Sequence, residues 1–144
     1  MLMKQFFDYK VATLNEDAGS MVLQAPDGRM SPKLPGRSLE AAFYDKRDEL
    51  FFLTHDILHE EQLDICLVRK GVLIDRLSLG QMFQPGLLGQ IKQYDNRAFT
   101  FEFPKNRRWN LKVAEALQFS APNFSTEVSR QRMWRSFLKL TLIG

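Results

Sequence analysis

The chain has 144 residues, 44% of them apolar, with twelve Phe, three Tyr and two Trp. That length suits one domain spanning 1–144, and that composition a packed core, which excludes a disordered or low-complexity chain. The net charge is only +3, but residues 1–91 hold ten Lys/Arg against thirteen Asp/Glu and residues 92–144 hold ten against four, so the C-terminal part either attracts an anionic partner or pairs with the acidic part across the fold.

In chain order, the N-terminus carries charges at Lys4, Asp8 and Lys10, which leave no room for the apolar region of a secretory signal. No stretch approaches the ~20 apolar residues of a membrane span. Met21, Leu23 and Ala25 alternate with Val22 and Gln24 as a strand, and Pro26-Asp27-Gly28 turns the chain. Ser31 to Arg37 is a short loop with two prolines.

Ser38 to Lys70 has neither Gly nor Pro, and Leu39, Phe43, Leu50, Leu53 and Ile57 nearly trace a helical stripe. The stripe fails where it needs Lys46 or Arg47 inside, so the segment reads as a hairpin: Ala42 to Tyr44, a charged turn at Asp45 to Asp48, then Leu50 to Thr54. Leu63, Ile65 and Leu67 line one face of the next strand, with Asp64 and Cys66 on the other. Arg69-Lys70-Gly71 turns the chain, and Leu73, Leu77 and Leu79 continue the apolar set. Gln81 to Gln93 is expected to be a short helix or a structured loop.

Phe99, Phe101 and Phe103 alternate with Thr100 and Glu102, the pattern of a half-buried strand. Pro104-Lys105-Asn106 is a turn, and Trp109, Leu111 and Val113 alternate with Asn110 and Lys112. Ser125 to Phe137 reads as helix or strand. Leu138, Leu140 and Leu142 alternate with Lys139 and Thr141. The sum is an all-β, mainly antiparallel domain: a β-sandwich or flattened barrel of about seven to nine strands with one or two short helices.

Three groups of residues bear on function. Met82, Phe83, Leu87 and Leu88 sit in a long apolar connection, which either seals one end of the core or presents a patch to a protein partner. Arg107, Arg108 and Trp109, with Arg130, Arg132, Trp134 and Arg135, pack cations around aromatic rings, the combination that holds phosphates and stacks on bases. Burial of the tryptophans and ordinary cation–π contacts are the competing account. His55 and His59, with Glu60, would share a face on a helix and grip a metal. His59-Glu60-Glu61-Gln62 is followed by Leu63, however, where a zincin motif needs its second His. In a connection between strands the same residues form a solvated polar loop.

Cys66 is the only cysteine, so no disulfide forms within the chain, as suits a reducing, cytoplasmic setting. It alternates with Ile65 and Leu67 and reads as a buried, inert thiol. The chain has no P-loop, no dinucleotide fingerprint and no nucleophile elbow. The sequence therefore points first to a non-catalytic binding or protein-interaction module of unknown partner. Self-association as a homodimer through an edge strand at Leu138 to Ile143, guarded by Lys139, is one form of it. Nucleic-acid or other polyanion binding through the C-terminal arginines comes second, and a metal-dependent enzyme centred on His55 and His59 third. No cofactor is expected.

Overall fold

The period-two patterning is realised as strands throughout. A computed structural model describes residues 3–5, 8–55, 62–80, 88–103, 107–119, 128–130 and 135–143. In chain order the strands are β1 (Lys4–Gln5), β2 (Lys10–Asn15), β3 (Ser20–Gln24), β4 (Leu34–Pro35), β5 (Ser38–Tyr44), β6 (Asp48–Thr54), β7 (Gln62–Arg69), β8 (Val72–Gly80), β9 (Lys92–Asp95), β10 (Ala98–Glu102), β11 (Arg108–Phe119), β12 (Val128–Arg130) and β13 (Arg135–Ile143). The described residues contain no helix, and so none long and apolar enough to cross a membrane. Within the stretches expected to hold a short helix, 81–87, 125–127 and 131–134 lie outside the described residues. Lys92 to Asp95, at the end of the Gln81–Gln93 stretch, is strand, and so are the described parts of Ser125–Phe137.

Every pairing is antiparallel, in three sheets. A large sheet runs β1-β5-β6-β7-β8-β12, a front sheet β13-β11-β10-β9, and a back sheet β2-β3-β4. The large sheet is the middle layer. Phe43, Leu50, Phe52, Leu63, Ile65, Leu67, Leu77 and Leu79 on one face pack with Phe99, Phe101, Trp109, Leu111 and Leu138 of the front sheet. Ala42, Phe51, Leu53, Cys66 and Val68 on the other face pack with Met21, Leu23 and Leu34 of the back sheet.

Burial on both faces explains the unbroken apolar runs Leu50 to Leu53 and Ile65 to Val68, a pattern usual for parallel sheets and produced here by covering layers. It also corrects the face of Leu73. A register shift between Leu67 and Val68 carries Leu73 to the back core, while Leu77 and Leu79 stay in front.

The turns follow local chemistry. Lys70 and Gly71 both have positive φ (52° and 76°), the two left-handed residues of a tight hairpin. Asp45 Oδ1 accepts the N–H groups of Arg47 and Asp48 at 2.8 and 2.7 Å, fixing the charged turn between β5 and β6. Gly36 is required: φ is 130° and an added Cβ would lie 2.9 Å from Leu53 Cβ.

The large and front sheets approach one another at two seams. At one, Met3 N donates to Asn96 Oδ1 (2.8 Å) and Gln93 Nε2 to the Met3 carbonyl (2.9 Å). At the other, the buried Asp75 of β8 accepts the N–H groups of Phe137 and Leu138, both at 2.9 Å. Side chains bridge both seams and no ladder between described strands closes them, so the sheets face each other without forming a closed barrel.

Candidate anion-binding cleft

The register of the front sheet fixes which residues face solvent. Phe99, Phe101, Trp109 and Leu111 point inward, so their neighbours in sequence point outward. One outward row crosses all four strands: Asp95, Ala98, Lys112, Lys139. Next to it run Lys92, Thr100, Asn110 and Thr141, and then Glu102, Arg108 and Ile143. Four cations (Lys92, Arg108, Lys112 and Lys139) thus share this face with the carboxylates of Asp95 and Glu102. Lys112 and Lys139 are direct cross-strand partners, both exposed, and neither makes an ion pair among the described residues. Like charges placed opposite one another destabilise a sheet by a few tenths to ~1 kcal/mol.

Two irregularities flank this row. In β9 the pairing steps from Ala98↔Asp95 to Phe99↔Gln93, leaving Tyr94 as the bulged residue. In β11 the pairing steps from Val113↔Leu138 to Gln118↔Ser136, so Ala114 to Leu117 stand against Phe137 alone. Bulges re-aim side chains and open the ladder. Between them lies a cleft of about 530 Å³, lined among others by Tyr94, Ala98, Lys112, Gln118, Ser136 and Lys139. Tyr94 is 53% exposed, and its hydroxyl donates to Asn110 Oδ1 at 2.7 Å, which holds the ring against the sheet.

A buried ionic network pins the β11 bulge from beneath. Arg97 Nε donates to the Val113 carbonyl (3.0 Å), and its Nη2 to the Ala114 carbonyl (3.3 Å). Arg69 Nη2 donates to the Glu115 carbonyl (2.8 Å), and its guanidinium lies 4.9 Å from the centre of the Phe137 ring. Asp48 accepts from Arg69 Nε at 2.6 Å and from Arg97 Nη2, and Asp45 accepts from Arg97 Nη1 at 2.7 Å. Burial alone would raise the Asp48 pKa. Hydrogen bonds from Arg69 and Arg97 outweigh it and hold the carboxyl below its ordinary range. Arg97 does this from a left-handed backbone, φ 62°, a conformation that costs a non-glycine residue roughly 1 kcal/mol or more. Part of the charge asymmetry is thus internal, because Arg97 of the basic part neutralises Asp45 and Asp48 of the acidic part.

The arginines and tryptophans singled out in the sequence do not converge. Trp109 is buried, and its Nε1 donates to the Phe103 carbonyl at 2.7 Å, so it stacks on no base. Its apolar neighbours outcompete the solvent face. Arg108 is exposed on the outward face, Arg107 is half-buried, and Arg135 is exposed at the start of β13. Arg130 sits on β12, at the edge of a different sheet. Arg132 and Trp134 lie outside the described residues, as do Met82, Phe83 and Leu87. Leu88 is half-buried and packs on the front core. Tyr94, Lys112 and Lys139 were missed because a residue's cross-strand partner is not visible in the sequence.

His55 also has a defined place. Its Nε2 lies 2.6 Å from Asp64 Oδ2, while its Nδ1 faces Arg37 Nη1 at 3.5 Å. Asp64 is fully buried and also receives Gln62 Nε2 (3.1 Å), Arg76 Nε (3.0 Å) and the Ser78 hydroxyl. Burial raises its pKa, but hydrogen bonds from His55 and Ser78 and the charge of Arg76 hold it below the ordinary value. Arg37 Nε donates to the Glu16 carbonyl at 2.9 Å, so the cluster ties the back sheet's hairpin to the large sheet. Gly19 lets it close, since a Cβ there would lie 3.1 Å from Arg37 Nη1. His59 and Glu60 lie outside the described residues, among which no three His, Cys, Asp or Glu side chains gather as a metal site. Cys66 is fully buried, and burial pushes its thiol pKa up.

Comparison of the chain with protein-family models, curated proteins and solved structures finds no match.

Proposed function

We propose that the protein is a non-catalytic binding module whose ligand is a phosphate polymer, held on the solvent face of the front sheet. The observation that carries this reading is the Lys112–Lys139 pair. Two cations face each other across a ladder, at a cost to the free protein, on the wall of a cleft that bulges on both sides keep open. An anion between them turns that repulsion into two attractions. Lys92 adds positive charge on the same face, while Arg108 lies opposite Glu102. This is polyanion binding through the C-terminal part, carried by residues of β9, β11 and β13 rather than by the Arg-Trp segments.

The non-catalytic half of the reading is supported by how the reactive groups are used. The Ser78 hydroxyl donates to Asp64, whose pKa is held below the ordinary carboxylate range and which is therefore a weak base, and His55 is committed to the same carboxylate. The Cys66 thiol is buried with its pKa raised. None of these is a nucleophile poised beside an effective base.

Inorganic polyphosphate titrated calorimetrically is the direct test, because it offers phosphates and nothing else. Binding is expected at low salt, weakening steeply as salt rises. The double variant Lys112→Ala/Lys139→Ala should bind at least ~10-fold more weakly, since ~1.4 kcal/mol is lost for each factor of ten. The same variant should be no less stable than the parent, because a like-charge pair has been removed. Polyphosphate that fails to bind at low salt, or binds the double variant equally, sinks the reading.

A further inference from the structure

Granting the phosphate-polymer ligand proposed above, on which this rests, we infer that the polymer is a single-stranded nucleic acid. One of its bases stacks on Tyr94 and an adjacent phosphate sits between Lys112 and Lys139. Four features of the cleft lead there.

The first is the ring. Tyr94 is the bulged residue of β9, aimed onto the outward face, half exposed, and anchored by its hydroxyl to Asn110. An aromatic platform fixed before the ligand arrives loses little side-chain entropy on binding. Stacking on it is open to any base, because every base has a π-face.

The second is spacing. Tyr94 stems from β9, and its ring reaches across β10, since its hydroxyl meets Asn110 of β11, two residues from Lys112 on the same face. A base stacked on that ring therefore has its own backbone phosphate within reach of Lys112. Ala98, small and buried, occupies the row between Asp95 and Lys112 in the lining of the cleft.

The third is polarity. Asp95 and Asn96 line the Tyr94 end of the cleft, and Lys112, Lys139, Gln118 and Ser136 belong to the β11 and β13 side. A carboxylate at one end repels phosphate there, and two ammonium groups attract it at the other. The nucleotide is thereby oriented, base towards Tyr94.

The fourth is size. A cleft of about 530 Å³ falls in the range of small-ligand sites, ≈300–1,000 Å³, and so takes about one nucleotide of a longer chain. A duplex is excluded from the ring, because its bases are already stacked on each other.

The test is fluorescence anisotropy with a short labelled single-stranded oligonucleotide and the same sequence as a duplex. The parent is expected to prefer the single strand at least ~10-fold. Tyr94→Leu should weaken single-strand binding by roughly 5- to 150-fold, the range for loss of one stacked base, and weaken the binding of polyphosphate, which has no base to stack, by much less. Tyr94→Phe keeps the π-face and should stay within about threefold of the parent on the single strand. Equal affinity for single strand and duplex overturns the inference, as does Tyr94→Leu binding like the parent. Tyr94→Phe losing as much as Tyr94→Leu also overturns it, by assigning the effect to the hydroxyl. In those cases polyphosphate binding still upholds the phosphate-polymer reading. Failure of every phosphate ligand removes both.

Discussion

The ionisable residues that matter most are the ones in the interior. Asp48 is fully buried between two arginines that also hold the β11 bulge by its carbonyls. Removing one partner of such a pair strands the others, at a cost of about 3–5 kcal/mol. Asp48→Asn should therefore lower unfolding stability by that order and loosen the cleft. Because hydrogen bonds from Arg69 and Arg97 hold the folded Asp48 pKa below its unfolded value, the stabilisation is complete above an unfolded pKa of ~3.9 and is lost as pH falls through the folded one. Asp64 behaves in the same direction. Denaturant unfolding followed below pH 4 should show a steep loss in the parent and a shallower one in Asp48→Asn, with Asp64 supplying the remainder. Identical acid slopes would remove Asp48 from this role. The sequence shows the charges at 45 to 48 and places them in a turn. It does not show that Arg69 and Arg97, distant along the chain, come to meet them.

Among the elements, β13 is the most exposed to error. The alternation of Leu138, Leu140 and Leu142 marks it as a strand, it forms one edge of the front sheet among the described residues, and Lys139 sits on its outward face. Its N-terminal part is covered on the free side by Asp75, which accepts two consecutive backbone N–H groups. A carboxylate here does what a neighbouring strand would otherwise do, and it joins the two sheets at that seam. Asp75→Ala removes the carboxylate acceptor of two buried N–H groups, at roughly 1–3 kcal/mol for each hydrogen bond that is not replaced. Hydrogen exchange should then show the Phe137 and Leu138 amides losing protection, with Leu140 little changed. Unaltered protection at both amides would mean that another group satisfies them. Strand existence was legible in β10, β11 and β13 because one face of each meets solvent and alternates cleanly. The bulges at Tyr94 and at Ala114 to Leu117 were not, since a bulge is defined by counting residues against a partner strand.

For the whole molecule, the decisive fact is that the large sheet is covered on both faces. Phe51 and Phe52 are consecutive and both fully buried, one in each core. A two-layer fold would leave one of them near solvent, where substitution costs within about 0.5 kcal/mol. Three layers require Phe51→Ala and Phe52→Ala each to cost about 3–5 kcal/mol, which chemical denaturation of the two variants measures directly. A mild effect at either position would contradict the layering. From the sequence alone came the all-β class, the antiparallel hairpins at 42–54 and 63–79, the burial of Cys66 and the charge asymmetry. All of these depend on residues close in the chain, whose faces and turns are set by a two-residue period and by local backbone sterics. Tertiary structure alone decided the third layer, the pairing of Lys112 with Lys139 and the aim of Tyr94. The burial of Trp109 and the meeting of Asp48 with Arg69 and Arg97 were decided there too. Each is a relation between strands far apart in sequence, fixed by register and by which sheet covers which face, and no local pattern encodes it.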